Sequence, residues 1–120
     1  MFRVPSISPL EAKEKLESSD NFIIVDVRED YELEFVSLNH STEFKHIRMR
    51  EIPQRMSELP KDKEIGVLCR SGARSAQVTQ FLRQQGYSAF NINGGILLWS
   101  DQIDPSLRKY KTMNGRAFPL

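Results

Sequence analysis

Apolar positions along this chain fall into two patterns, short unbroken runs and helically spaced stripes, and the two alternate. Phe22-Ile23-Ile24-Val25-Asp26-Val27 is a continuous, β-branched run interrupted only by an acid, which predicts a strand covered on both faces. Ile65-Gly66-Val67-Leu68-Cys69 repeats the pattern and ends at a cysteine, and Ala89-Phe90-Asn91-Ile92 runs into Asn93-Gly94-Gly95. Between these two, Ser75 to Gln85 sets Val78, Phe81 and Leu82 at helical spacing, with Gly86 placed as a C-cap. Ahead of the first run, Ser8-Pro9-Leu10-Glu11 reads as a capping box with proline at the first helical position. The helix it opens should reach Ser18 or Ser19, with Leu10 and Leu16 among its inward residues. Ile52 to Leu59, begun near Pro53, and Gly94 to Gln102 are predicted as further short helices.

Strands alternating with helices imply an α/β fold, a mostly parallel central sheet with helices on both faces. Such sheets bind ligands where the carboxyl ends of the strands meet the following loops. Asp26, Cys69 and Asn93 each stand at or just past such an end, so they are expected to converge on one edge of the sheet. The glycines agree with this layout. None precedes Gly66, and Gly72 lies within the loop between a strand and a helix start.

Length and composition narrow the possibilities. At 120 residues the chain suits one domain, with no repeat or linker to divide it. A charge of +1 argues against nucleic-acid and membrane-surface partners, which need a concentrated basic face. The apolar runs are too short to cross a bilayer, and Met1-Phe2-Arg3-Val4-Pro5 lacks a secretory layout, so a cytoplasmic address is expected. One cysteine and two histidines give little basis for a structural metal site, and no cofactor is expected.

A lone cysteine is ordinarily a small buried hydrophobe. The context of Cys69 argues otherwise. Cys69-Arg70-Ser71-Gly72-Ala73-Arg74-Ser75 runs from a strand end to a helix N-terminus, with only four residues between Cys69 and Arg74. So short a loop must wrap tightly, and its N–H groups can turn inward as an anion cradle. The helix adds its positive end, and Arg70 and Arg74 add two permanent cations. A thiol ordinarily near 8.5 is lowered to roughly 3.5–7.5 in such surroundings, so Cys69 is expected to be a thiolate nucleophile needing no histidine base.

Three segments carry a resemblance. Asp26-Val27-Arg28-Glu29, the Cys69–Ser75 loop, and Asn91-Ile92-Asn93-Gly94-Gly95-Ile96-Leu97-Leu98-Trp99 resemble, in order, the signature segments of the rhodanese sulfurtransferase family. The likeness runs from about Ile7 to Tyr110. The stretch from Gly95 to Ser106 is similar to the rhodanese module of adenylating enzymes in molybdopterin and thiamine biosynthesis. The resemblance implies one rhodanese domain over residues 1–120, with a core of about 7–110, a tail of 111–120 and a five-stranded sheet. It implies that Cys69 takes sulfane sulfur from a small anion such as thiosulfate, holds it as a persulfide, and yields it to cyanide, a thiol or a sulfur-carrier protein. Backbone amides of Arg70, Ser71, Gly72, Ala73, Arg74 and Ser75 would stabilise the persulfide, while the Arg70 and Arg74 side chains held the donor. Asp26, Arg28, Asn93 and Gly94 would brace or line the site, Asp26 either at the mouth, as a cap of loop N–H groups, or paired with Arg28. Trp99 and Phe90 read as core.

One segment departs from the family. A Gly-His-Ile-Pro-Gly-Ala-like stretch is replaced by Phe35 to Ile47, which has no glycine, so the loop beside the site is expected to run differently. His40 is the nearest match to the family histidine, with a structural role. Two rival readings stand beside sulfur transfer: a non-catalytic binding module on the same fold, and a cysteine-dependent phosphatase. The phosphatase would have five residues, not four, between cysteine and arginine.

Overall fold

A computed structural model of the chain describes residues 4–18, 21–38 and 43–107 in full, and residues 110–113 and 116–119 as backbone. Its centre is a five-stranded sheet built from β1 (Ser6–Ile7), β2 (Phe22–Asp26), β3 (Phe44–His46), β4 (Glu64–Leu68) and β5 (Ser88–Ile92). The strand order is β1-β5-β4-β2-β3, and every pairing is parallel. Helices α1 (Pro9–Ser18), α2 (Asp30–Phe35), α3 (Ile52–Arg55), α4 (Ala73–Gln84) and α5 (Gly95–Gln102) connect the strands.

Alternation along the strands divides the core into two layers. Ile23 and Val25 of β2 and Ile65 and Val67 of β4 face one way, beneath Ile52 of α3 and Val78 and Leu82 of α4. Phe22, Ile24 and Leu68 face the other way, against Ala12 of α1 and Ile96 and Trp99 of α5. All five residues of β2 are buried, as the continuous apolar run requires of a strand with helices on both sides. Each of its four apolar side chains, Phe22 to Val25, contributes roughly 1.5–3 kcal/mol through its removal from water.

The capping box at α1 forms as predicted: Glu11 N–H donates to Ser8 Oγ at 3.0 Å, and Ser8 N–H to Glu11 Oε1 at 3.3 Å. Leu10 does not face inward. It is 53% exposed, because Pro9, Ala12 and Leu16 form the inward stripe and Leu10 lies off it. The helix expected over Ile52–Leu59 is α3 between two single 3₁₀ turns, Met49–Glu51 and Met56–Glu58. Residues expected as a tail instead include an antiparallel ribbon, β6 (Tyr110–Met113) with β7 (Arg116–Pro119). His40 lies outside the described residues.

The chain leaves β2 for its neighbour β3 and leaves β4 for β5 on the opposite side, so the connections diverge between β2 and β4. A parallel sheet opens a crevice at such a point, at the carboxyl ends of the strands. Register places Asp26 beside Leu68, and Val67 beside Asn91. The loops that follow β2, β4 and β5 therefore meet at one edge.

Candidate active site

The loop after β4 closes around its own cysteine. Gly72 N–H donates to Cys69 Sγ at 3.0 Å, and Ser75 Oγ lies 3.2 Å from the same sulfur. Gly72 can make this turn because its φ is +108°, a left-handed conformation unfavourable to side chains. A Cβ there would also lie 3.3 Å from Gly94 N. Ser75, in the first turn of α4, donates its hydroxyl to Asn91 Oδ1 at 2.5 Å, joining the loop to β5.

The turn after β5 supports the cysteine from behind. Ile96 N–H donates to the Cys69 carbonyl at 3.0 Å and Leu97 N–H to the Arg70 carbonyl at 3.1 Å. The first amides of α5, which have no partner within their own helix, thus fix the cysteine loop. Gly95 makes this close approach possible: a Cβ on it would fall against the carbonyl oxygens of Cys69 and Arg70. Asn93 is exposed and ties the turn to β1 through its N–H and the Ile7 carbonyl at 2.9 Å; Gly94 is the N-cap of α5 in a left-handed conformation.

The loop after β2 is a network of charges. Arg28 is fully buried, and its Nε and Nη2 reach the Asp26 carboxylate at 2.8–3.1 Å while Nη1 donates to the Glu32 carbonyl at 3.3 Å. Asp26 Oδ1 also accepts from Arg28 N–H at 3.0 Å, so the carboxylate both pairs with Arg28 and caps its own loop. His46 of β3 places Nε2 at 2.7 Å from the Arg28 carbonyl. Arg74, expected to face a donor anion, makes a two-pronged pair with Glu32, both contacts at 2.8 Å. Burial pushes the Glu32 carboxyl up, but hydrogen bonds from Arg74 and Glu29 N–H, with the charges of Arg74 and Arg28, hold it below its ordinary value. Arg74 therefore fastens the cysteine loop to the β2–α2 corner.

The elements bring Asp26, Cys69 and the Asn93-Gly94-Gly95 turn to one edge, and Gly72 and Ser75 to the sulfur. Ser71 and Ala73 are exposed on the outer side of the loop, and Arg70 is half-buried. The sulfur itself is deeper than a nucleophile in an open cleft: Cys69 is 1% exposed and packs with the apolar layer under α4. The tight loop that supplies its hydrogen bonds also covers it. Glu32, Asn91 and His46 were not picked out from the sequence. Glu32 lies 42 positions from its partner Arg74 and no local motif marked it, while Asn91 opens the third signature segment, which does not reveal its bond to Ser75 16 positions earlier.

Among the described residues no helix is long and apolar enough to cross a membrane, and no three His, Cys, Asp or Glu side chains group as a metal site. The family model described as "Rhodanese-like domain" matches residues 8–102. "Putative sulfurtransferase YtwF" of Bacillus subtilis is 39% identical over 102 residues, spanning 85% of this chain and 96% of that protein. A protein named "Sulfurtransferase" from Allochromatium vinosum is 36% identical over 98 residues, 81% of this chain and 89% of its own. Among solved structures, a rhodanese-like domain protein from Staphylococcus aureus superposes with a TM-score of 0.74 at 34% identity, over 86% of this chain and 95% of that one.

Proposed function

The chain belongs to the rhodanese-like domain family, and we propose that it is a thiosulfate sulfurtransferase that carries sulfane sulfur as a persulfide on Cys69. One observation carries the reading: a backbone N–H and a hydroxyl both lie within hydrogen-bond reach of a cysteine sulfur at the start of α4. The sulfurtransferase names of the relatives support it.

The Cys69 thiolate attacks the outer sulfur of thiosulfate. The bond between the two thiosulfate sulfurs breaks, sulfite departs with that electron pair, and Cys69 is left as the persulfide anion. In the second step cyanide, a thiol or a sulfur-carrier protein attacks the outer sulfur, and the thiolate of Cys69 is the leaving group. This is covalent catalysis in two half-reactions. The Gly72 amide aimed at the sulfur stabilises the anion. Arg70 helps to orient the donor, and Arg74 holds the loop through Glu32. Asp26 and Arg28 brace the neighbouring corner, and Asn93 and Gly94 shape the wall. Since the sulfur lies beneath the loop, the loop must part between Arg70 and Ala73 to admit the donor. A reducing cytoplasm suits a lone thiol that is regenerated at each turnover.

Burial of Cys69 is the observation that favours the second reading, a non-catalytic module. Steady-state kinetics separate the two. Varying thiosulfate at several cyanide concentrations should give parallel double-reciprocal lines and thiocyanate as product. Absence of turnover returns the chain to the module reading, and faster turnover of an aryl phosphate than of thiosulfate makes it a phosphatase.

A further inference from the structure

Ser75 stands between two groups that compete for one proton. Its hydroxyl donates to Asn91 Oδ1 while its oxygen lies 3.2 Å from Cys69 Sγ, and all three residues are buried. While the sulfur is a thiol the chain is complete: S–H donates to Ser75 Oγ, and Ser75 O–H donates to Asn91. A thiolate or persulfide has no proton on Sγ to give. Ser75 then faces an acceptor on each side with one proton to share; Sγ keeps the Gly72 N–H, but a hydroxyl held by Asn91 denies the anion its second donor, and a hydrogen bond to a charged group contributes about 1.5–3 kcal/mol.

Asparagine offers a way out that aspartate or leucine does not, because its amide carries both an acceptor and two donors. Half a turn of the amide replaces Oδ1 with Nδ2, which donates to Ser75 Oγ and frees the hydroxyl proton for the sulfur. We propose that Asn91 is a positioning residue whose amide turns over to match the Ser75 hydroxyl to the charge on Cys69. The thiol proton leaves to solvent, the amide rotates and the hydroxyl reorients; no electron pair moves between residues. The inference rests on Cys69 working as a sulfur nucleophile, as proposed above.

With one cysteine in the chain, the ultraviolet absorbance of a thiolate at neutral pH reads Cys69 directly, with Cys69→Ser as the blank. Asn91→Asp, when ionised an acceptor only, should hold the hydroxyl away from sulfur and lower the thiolate-to-thiol ratio more than tenfold, about tenfold for one hydrogen bond to a charged group and the rest by the charge of its carboxylate. Asn91→Leu, neither donor nor acceptor, should leave the ratio unchanged or raise it; Asn91→Ala serves if the leucine chain does not fold. Arg70 and Arg74 of the loop, Glu32 of α2, and the Asp26–Arg28 pair stay the same in every variant, and only Asn91→Asp adds a charge, a carboxylate that repels the thiolate on its own account. In a Ser75→Ala background the effect of Asn91→Asp should be about tenfold smaller, because only the repulsion by its carboxylate remains. The proposal is overturned if both substitutions lower the ratio together, if the aspartate effect is equally large with and without the hydroxyl, or if the wild-type chain shows no thiolate. Because no sulfur donor is added, a responsive ratio in a chain that never forms a persulfide would retain the Asn91 role and reject the sulfur-transfer reading alone.

Discussion

Two loops meet at the carboxyl edge of the sheet, and they handle charge in opposite ways. The loop after β2 uses side chains: Asp26 pairs with Arg28, and Glu32 at the next corner pairs with Arg74. The loop after β4 uses its backbone and one hydroxyl, Gly72 N–H and Ser75 Oγ around Cys69 Sγ. In the first, each charge is cancelled by a neighbour and the product is rigidity. In the second, polar groups gather around one sulfur, the Gly72 N–H pointing at it and the Ser75 hydroxyl joining it to Asn91. The difference teaches that counting arginines near a cysteine does not measure its electrostatic surroundings. Arg74, which a sequence reading assigns to the donor, is a strut between the loops.

The comparison can be broken from either side. Arg28→Ala should have the largest effect and should act on stability, because it leaves the Asp26 carboxylate buried without its cation. Removal of one partner from such a pair costs about 3–5 kcal/mol, seen as a lower urea midpoint. A midpoint close to that of the wild type would show that the first loop is not a structural network. Gly95→Ala attacks the second loop. The new methyl would press on the carbonyls of Cys69 and Arg70 and shift the sulfur, so thiosulfate turnover should fall about 100-fold, the scale for a small misplacement of reacting groups. Unchanged turnover would mean that the loop geometry does not govern the chemistry.

Glu32→Gln is the gentlest probe. The folded Glu32 carboxyl lies below its ordinary 4.5, so between its folded and unfolded values the unfolded chain binds more protons. Its contribution is thus complete above about pH 4.5 and is lost as pH falls through the lowered folded value. The urea midpoint of the wild type should decline with acid in that window, and the glutamine variant should decline less. Identical acid profiles would remove Glu32 from the account.

Much of this arrangement is legible in the residues alone. The Ser8–Glu11 capping box, the unbroken apolar runs and the cysteine followed by a tight glycine-containing loop each specify local geometry, and the structure has the corresponding helix start, buried strands and turn. Long-range pairing is harder to read. Glu32 in Asp30-Tyr31-Glu32-Leu33-Glu34 reads as an ordinary exposed acid, and only the fold delivers Arg74 to it across 42 positions. Leu10 shows the converse, an apolar residue left outside because its helix face points to solvent. The burial of Cys69 follows from the closeness of the loop, which spacing suggests without saying which side the sulfur occupies.

Intact-mass analysis after incubation with thiosulfate tests the central claim most directly. The wild-type chain should gain the mass of one sulfur atom, lose it again on addition of cyanide, and the Cys69→Ser chain should gain nothing. A wild-type mass that thiosulfate leaves unchanged, or a gain that persists in the serine variant, would contradict a persulfide on Cys69.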